Sequence, residues 1–261
     1  MAFTYTEYGR WIIALAMGAV RIGAAFTMCP AFSESMITGL ARRVAILAFA
    51  VLLTPYILKT MPPGEAVSLW LLAFTAIKEV VIGLIIGFFA AIPFNVAENV
   101  GNFIDNQRGA TMGEVYSPLS GTQVSTTGIF FTQLVSTIFF VSGAVFLFLG
   151  ALYKSHTIWP VFGDFVAFHT NAATAALGAL DGMLQTTVVI SAPAVILMFL
   201  ATLGLGFVNR TAPQLNVFFL SMPVKSALGV AMLVIYLPFI MDMLIYTKDT
   251  QILRPAMEMI K

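Results

Sequence analysis

The chain has 261 residues, of which 59% are hydrophobic and only 10% are charged, and its mean hydropathy is +0.94. Soluble domains are about 45–50% apolar and about 25% charged, so this composition excludes an ordinary soluble domain. Its high hydrophobicity also excludes intrinsic disorder. Thirteen basic and twelve acidic residues give a net charge of +1, which provides no electrostatic basis for binding nucleic acid. The composition predicts a membrane protein with several helices.

Six apolar segments follow one another along the chain, each long enough for the roughly 20 residues that a membrane-spanning helix needs. They cover residues 11–30, 42–61, 67–94, 127–152, 183–208 and 224–246. Pro193, Pro223 and Pro238 fall inside or at the edge of such segments and predict kinked helices. The pattern therefore predicts an all-α protein with about six long apolar segments, organised as a single domain over residues 1–261.

The one cysteine, Cys29, excludes an internal disulfide and any site built from several thiolates. We interpret it as a small buried hydrophobe rather than a reactive thiol. The first apolar run carries Arg21 in its middle and lacks a convincing cleavage site, so we do not expect a removable signal peptide.

Three connections between the apolar segments carry polar residues. In 95–126, apolar residues recur at helical spacing and are followed by glycine, serine and threonine, which predicts an amphipathic helix leading into a loop. Residues 154–182 contain both histidines, and residues 210–223 are typical of a short helix between two prolines.

The basic residues do not orient the chain in a membrane. If all six segments span, one side collects Arg10, Lys59, Lys154, Lys248, Arg254 and Lys261, and the other Arg42, Arg43, Arg108, Arg210 and Lys225. Proteins of the inner membrane show a clearer bias towards one side. Either the span count is wrong, or the helices are not held in lipid in the usual way.

Charged residues lie inside the apolar segments. Arg21 and the adjacent Lys78 and Glu79 lie deep within them, and Asp242 lies near the end of the last. An unpaired charge at the bilayer centre costs about 2.5–3.5 kcal/mol, so each charge is expected to have a partner. The partners are either charges within the same bundle or groups on other subunits or in a hydrated lumen. A proton or ion relay is disfavoured, because no row of carboxylates and histidines follows one helix.

Motifs of known catalytic chemistry are absent from the sequence. It contains no His-Glu-x-x-His, Walker loop, CxxC or Rossmann glycine pattern. His156 and His169 have no His or Cys neighbour at metal-ligand spacing. We therefore predict no enzymatic activity, no catalytic residue, no metal ion and no cofactor.

A pattern between residues 78 and 134 resembles a known family. It consists of Lys78-Glu79, Ile82-Gly83 and Gly87, the runs Asp-Asn-Gln-Arg-Gly-Ala at 105–110 and Glu-Val-Tyr-Ser-Pro-Leu-Ser-Gly at 114–121, and Thr132-Gln133-Leu134. This pattern resembles the T subunit of the type III secretion export apparatus (SctT), which is homologous to the flagellar biosynthesis protein FliR. The run at 105–110 resembles the virulence (injectisome) branch more than the flagellar branch.

The resemblance implies an all-helical fold of kinked hairpins within a hetero-oligomeric export gate. It implies a structural and gating subunit of the conduit through which unfolded proteins cross the bacterial inner membrane. The gate would lie in the base of the secretion machine, raised towards the periplasm, where protein neighbours replace lipid and weaken the charge bias. The implied partners are the R and S subunits, the switch protein (U subunit) and the secreted unfolded polypeptides.

The resemblance also implies that a loop in this region obstructs the closed pore, and we predict residues 107–121 for this role. The predicted gate residues are Gln107, Arg108, Gly109, Met112, Val115, Tyr116, Pro118, Leu119 and Gly121. Among them, Arg108 is the expected anchoring charge. Lys78, Glu79, Gly83 and Gly87 are predicted to contact other subunits, since the two glycines form a small-xxx-small motif that lets another backbone approach. The alternative is an ordinary packed loop rich in turn residues.

Two other functions stay open at the level of sequence. A secondary transporter would bind a small solute at broken helices near the membrane midplane, and residues 210–223 fit that description. However, no duplicated pair of interrupted segments accompanies them. An assembly scaffold without a role in translocation differs from the gate only in whether the predicted loop moves.

Overall fold

The computed structural model describes residues 2–4, 7–33, 36–62, 66–109, 125–163, 172–212, 214 and 216–250. Within these ranges the helices are α1 (Glu7–Met28), α2 (Gly39–Thr60), α3 (Leu69–Arg108), α4 (Thr126–Val141), α5 (Ala144–Ile158), α6 (Ala172–Thr211) and α7 (Val217–Thr250). A 3-10 turn at Pro30–Phe32 follows α1, and strands β1 (Ala2–Thr4) and β2 (Ala66–Ser68) form a short antiparallel pair. The predicted all-α fold is confirmed.

The predicted apolar segments coincide with these helices, but fewer of them qualify as membrane spans. Among the described residues, α1, α2, α3 and α6 are long and apolar enough to cross a membrane. The segment at 127–152 forms two helices, α4 and α5, which meet at a bend of 74° and count together as a fifth candidate. The apolar part of α7, Phe219–Ile235, is shorter. The count is therefore four to five rather than about six.

Two helices are much longer than a bilayer requires. Both α3 and α6 contain 40 residues, which corresponds to about 60 Å along the axis, roughly twice the hydrocarbon thickness of a membrane. Each contains one proline, Pro93 or Pro193, within the helix. The assignment of basic residues to two sides assumes that each helix begins and ends at a membrane surface. Helices of this length need not do so, which is one reason for the weak charge bias.

The chain divides into two compact units. The first contains β1, α1, α2, β2, α3 as far as Ile92, α4 from Ser136, α5, and α6 as far as Ala179. The second contains the rest of α3 from Pro93, α4 as far as Val135, α6 from Leu180, and α7 as far as Asp249. Both units thus combine distant parts of the sequence. The single domain over residues 1–261 stays a prediction.

An aromatic cluster fixes the end of α1 within the first unit. The rings of Phe26 and Phe32 stack with their centroids 3.9 Å apart. Phe139 and Phe148 lie around Phe32 with ring centroids 6.3 and 5.9 Å away. Gly143, at φ +74°, lies at the bend between α4 and α5, where the left-handed backbone conformation favours glycine. The cluster joins the turn after α1 to both helices of this bend.

Cys29 lies at the start of the same turn and has no exposed surface. Burial raises the pKa of its thiol to about 12, so the reactive thiolate is scarce at neutral pH. These observations confirm the interpretation of Cys29 as a buried hydrophobe.

We expect a maleimide at neutral pH to leave Cys29 unmodified in the folded protein. The same reagent should modify it fully after unfolding in a denaturing detergent, because unfolding removes the burial that raises the thiol pKa. Mass spectrometry of the intact chain measures the added mass in both cases. Stoichiometric labelling of the folded chain at the unfolded rate would contradict the buried position.

Candidate functional site

The predicted gate residues divide at Gly109. Gln107 and Arg108 form the last residues of α3, and Gly109 follows directly. Met112, Val115, Tyr116, Pro118, Leu119 and Gly121 lie outside the described residues. The structure does describe both places where the 110–124 segment joins the rest of the chain. We refer to residues 98–109 and 125–132, which flank this segment, as the stem.

The first half of the stem is the amphipathic helix that the sequence predicts. Val100 and Ile104 are buried on one face of α3, whereas Phe103 is about half exposed. Gly109 has φ +79°, and its N–H donates a hydrogen bond to the carbonyl of Asn106 at 3.2 Å. A glycine in the left-handed conformation is a common way to end a helix, because it has no Cβ to clash. The local sequence thus ends α3 where the predicted gate begins.

The two halves of the stem touch through their backbones. A Cβ built on Gly101 would lie closer than 3.0 Å to backbone atoms of Thr127 and Gly128. A Cβ built on Gly128 would lie 3.1 Å from the carbonyl oxygen of Glu98 and from Oδ1 of Asn102. Two glycines therefore allow α3 and the start of α4 to cross at a distance that side chains would prevent. From this crossing α3 continues for about two further turns to Gly109, and Ser125 lies three residues before Gly128.

Asp105 connects the two halves of the stem through hydrogen bonds. The hydroxyl of Ser125 and the N–H of Thr127 donate to Oδ2 of Asp105, at 2.6 and 3.0 Å. The Thr127 hydroxyl donates to Oδ1 at 2.5 Å. The Ser125 hydroxyl oxygen in turn accepts a hydrogen bond from the N–H of Gly128 at 2.9 Å, as the first residue before a helix commonly does. The side chains of Asp105 and Ser125 thus accept hydrogen bonds from two N–H groups in the first turn of α4, those of Thr127 and Gly128.

Arg108 adds a positive charge to the same carboxylate. Its Nη2 lies 2.8 Å from Oδ1 of Asp105, whose side chain is only 1% exposed. A buried carboxylate is costly unless donors surround it, and this one receives three hydrogen bonds and one ion pair. Arg108 thus pairs with Asp105 one turn away on the same helix, within the first half of the stem.

A second cluster of buried charges lies within the first unit. Nε and Nη2 of Arg21 donate to the two carboxylate oxygens of Glu79, at 2.6 and 2.8 Å. Nη1 also donates to the Ser155 hydroxyl at 2.9 Å, and Nη2 to the carbonyl of Trp159 at 2.9 Å. Both charged side chains are fully buried. Of the two kinds of partner considered for these charges, the structure shows partners within the chain.

Lys78 contacts the backbone that follows α5. Its ammonium donates to the carbonyls of Pro160 and Gly163, at 2.9 and 3.0 Å. A buried ammonium needs hydrogen-bond acceptors, and these two carbonyl oxygens supply them. Arg21 and Lys78 therefore hold the backbone of 159–163 against α1 and α3.

The glycine motif of α3 packs against α1. A Cβ on Gly83 would lie closer than 3.0 Å to the carbonyl oxygen of Arg21, and one on Gly87 equally close to that of Ala25. All four residues predicted to contact other subunits are buried in the packing of this chain. Their observed contacts are internal, and their contact with other subunits stays a prediction. The side chain of Asp242 lies outside the described part of α7.

The histidine that the structure describes lies near the Arg21 cluster and interacts electrostatically with Arg21. His156 is buried, with Nδ1 2.9 Å from the carbonyl of Leu152, and His169 lies outside the described residues. In the described part of the chain, no three His, Cys, Asp or Glu side chains are placed to hold a metal ion.

Comparison with known proteins decides the family. Residues 12–249 match the family described as bacterial export proteins, family 1. The chain belongs to this family. It is a membrane protein, because it belongs to this export family and its described part contains four to five apolar helices long enough to cross a membrane.

Relatives of this export protein include components of secretion systems and of the flagellum. It is 37% identical to Yop proteins translocation protein T of Yersinia pestis, over 91% of this chain and 93% of the relative. It is 35% identical to the secretion system apparatus protein SsaT of Salmonella typhimurium, over 89% and 90%. Its identity to the flagellar biosynthetic protein FliR of Bacillus subtilis is 31%, over 83% of each chain. The predicted resemblance to the SctT and FliR family is confirmed.

Sequence reasoning missed the residue that organises the stem of this export protein. Asp105 occurs in the run that carries the resemblance, but we assigned it no role. A signal was present, because an acidic residue in the last turn of a helix opposes the helix dipole and so indicates a compensating partner. Ser125, Thr126 and Thr127 supply hydroxyls just before and in the next helix. Gly101 and Gly128 gave no comparable signal, since their contact depends on how two helices cross.

Proposed function

We propose that this export protein is a structural and gating subunit of the type III secretion export gate. It forms part of the conduit through which unfolded proteins cross the bacterial inner membrane, and it performs no enzymatic reaction. Its partners are the R and S subunits, the switch protein (U subunit) and the secreted polypeptides. The complex lies in the base of the secretion machine, raised from the inner membrane towards the periplasm. Family membership and the names of the relatives support this proposal.

One observation supports the gating role in particular. The stem places Ser125, the residue directly after the 110–124 segment, in hydrogen-bond contact with Asp105, five residues before the segment begins. A segment of fifteen residues fixed at both ends can extend at most about 25 Å from its base, because each residue spans at most about 3.3–3.6 Å. That reach exceeds the width of a single polypeptide helix, about 10–12 Å. The segment is therefore long enough to obstruct a pore sized for one chain without movement of the helices.

The composition of the segment fits the same role. Met112, Val115, Tyr116 and Leu119 provide apolar side chains that can exclude water between subunits, and the glycines allow tight turns. Arg108 and Gly109 belong to its base. An apolar seal is the simplest barrier to ions in a conduit that must later admit a polypeptide.

We expect deletion of residues 110–120 to make the assembled gate conduct ions while the complex still assembles. The reason is that the deletion removes the proposed seal but leaves the helices and the stem. The measurement is the ion conductance of purified gate complexes in planar bilayers, with the number of assembled complexes determined by quantitative mass spectrometry.

A matched control replaces residues 110–120 with eleven residues of glycine and serine, which keeps the length but removes the apolar side chains. Conduction by both variants assigns the barrier to the side chains. If the deletion variant forms intact complexes whose conductance is unchanged, the segment does not gate the conduit and the protein acts as an assembly scaffold. The transporter alternative gains no support from relatives that are named for secretion and flagellar biosynthesis.

A further inference from the structure

Three helices of the first unit share one end. The helices α1 and α2 run antiparallel, because Gly18 approaches the side chain of Ile57 and Gly23 approaches that of Ile46. The helices α1 and α3 run in the same direction, as the contacts of the glycine motif of α3 show. The starts of α1 and α3 and the end of α2 therefore lie together, at the end of the unit where β1 pairs with β2.

Exposed aromatic side chains with a polar group collect at this shared end. They are Tyr8 and Trp11 on α1, Tyr56 on α2 and Trp70 on α3. Tyr8 and Trp70 are 82% and 77% exposed. Trp and Tyr are enriched where a membrane meets water, because their rings are apolar while their N–H and O–H groups form hydrogen bonds. The four residues thus indicate that a surface of the membrane crosses the first unit at this end.

The exposed face of α2 extends away from these aromatic residues. Its large exposed side chains recur at helical spacing and are Leu40, Val44, Leu47, Val51, Leu52 and Tyr56. Contacts between helices in membranes favour small residues, which let the backbones approach, and Gly83 and Gly87 make such a contact with α1. The exposed face of α2 presents branched apolar side chains instead, which are typical of surfaces that face lipid.

The charges at the two ends of this face fit the thickness of a bilayer. Arg43 and Lys59 are both exposed, and α2 has no charged residue between them. Sixteen residues of helix separate them, which corresponds to about 24 Å along the axis. Long basic side chains extend from such positions towards water. Both charged groups can therefore lie at the surfaces of a hydrocarbon layer about 30 Å thick.

We propose that the exposed face of α2, together with the exposed starts of α1 and α3, contacts the acyl chains of a phospholipid bilayer. The four aromatic residues mark one surface of that bilayer, and Arg43 lies near the other. The neighbour of this face is thus lipid and not another subunit. A complex raised towards the periplasm would keep this face of the first unit in the membrane. The inference does not rest on the gating role of the protein.

Spin labels on α2 distinguish lipid, protein and water as its neighbour. Cys29→Ala removes the only cysteine of the chain, and Arg43→Cys, Leu47→Cys, Val51→Cys or Lys59→Cys then carries a nitroxide. The full-length chain, with the subunits that copurify with it and free of other cysteines, is reconstituted in vesicles of phosphatidylethanolamine and phosphatidylglycerol. Electron paramagnetic resonance measures how strongly each label is relaxed by molecular oxygen, which dissolves in hydrocarbon, and by a nickel chelate, which stays in water.

The ratio of the oxygen effect to the nickel effect should peak in the middle of α2. We expect it at Leu47 and Val51 to exceed that at Arg43 and Lys59 about tenfold or more, because a polar chelate loses its hydrogen bonds to water in hydrocarbon. Immobilised labels at Leu47 and Val51 that neither reagent reaches would show a protein neighbour. Labels there that nickel relaxes as strongly as at Lys59 would show water. Either result would overturn the inference.

A second measurement needs no substitution and decides if the labelled variants fail to assemble. A phospholipid with a diazirine on its acyl chain is photolysed in vesicles that contain the native complex. Cleavage by trypsin after Arg43 and Lys59 releases residues 44–59, and fragmentation in the mass spectrometer locates the crosslinks. We expect crosslinks at Leu47 and Val51 and none at Leu53, which is buried on the opposite face of α2. Crosslinks on other peptides of the complex but none on residues 44–59 would overturn the inference.

Discussion

Substitution of Glu79 by alanine is expected to lower the free energy of unfolding of the chain by about 3–5 kcal/mol. The substitution leaves the Arg21 guanidinium fully buried without the carboxylate that accepts two of its hydrogen bonds. Proteins are stable by only about 5–15 kcal/mol, so a loss of this size removes much of the folded population at moderate temperature. Equilibrium unfolding of the full-length chain in mixed detergent micelles measures the change.

A double substitution separates the effect of losing the ion pair from the effect of losing the side-chain volume. Arg21→Met together with Glu79→Leu replaces both charges with apolar side chains, and such replacements of buried pairs are often neutral or stabilising. We expect the double variant to regain most of the stability lost in Glu79→Ala. Glu98→Gln, at an exposed position of α3, should change stability by less than about 0.5 kcal/mol.

The same variants test the predicted contact of Glu79 with other subunits. If Glu79→Ala unfolds as the native chain does but no longer recovers its partner subunits, the main role of Glu79 lies between subunits and the internal pair is secondary. If the double variant is stable and also assembles normally, the pair serves only the fold of this chain.

The helices of this protein could be predicted from its sequence because long apolar runs leave few other structures for the backbone. The number of spans could not. Residues 127–152 form one uninterrupted apolar run, but the positive φ of Gly143 divides it into α4 and α5 at a bend of 74°. Hydropathy averages over such a position and does not detect it. A hydropathy window that assumes one bilayer thickness also does not detect that α3 and α6 each contain 40 residues.

The partners of the buried charges depend on tertiary packing that local sequence does not report. Arg21 and Glu79 are 58 residues apart, and Lys78 and the carbonyl of Gly163 are separated by 85. The sequence showed that these charges need partners, since an unpaired charge in an apolar helix is expensive. It did not show whether the partners lie in this chain or in another. The family was predictable, because it depends on contiguous runs at 105–110 and 114–121, whereas the location of the gate stays a prediction.

Substitution of Gly101 by alanine is expected to disrupt the stem, although it adds a single methyl group. The new Cβ would lie closer than 3.0 Å to backbone atoms of Thr127 and Gly128, which cannot rotate away as a flexible side chain can. The start of α4 must therefore move away from α3. Overpacking of this kind costs about 1–3 kcal/mol, and the movement also lengthens the hydrogen bonds of Asp105 to Ser125 and Thr127. We expect both lower stability and increased ion conductance in assembled gates.

The matched control is Gly204→Ala in α6, where nothing lies within 4 Å of the added Cβ. Alanine in the middle of a helix is favoured over glycine by about 0.5–1 kcal/mol, so this variant should be as stable as the native chain or more stable. Unfolding in mixed micelles and conductance in planar bilayers measure both variants. Equal behaviour of Gly101→Ala and Gly204→Ala would show that the helices do not cross as closely as their glycines allow. If only Gly101→Ala lowers the stability and raises the ion conductance, the barrier to ions depends on the close crossing of α3 and α4 at Gly101 and Gly128.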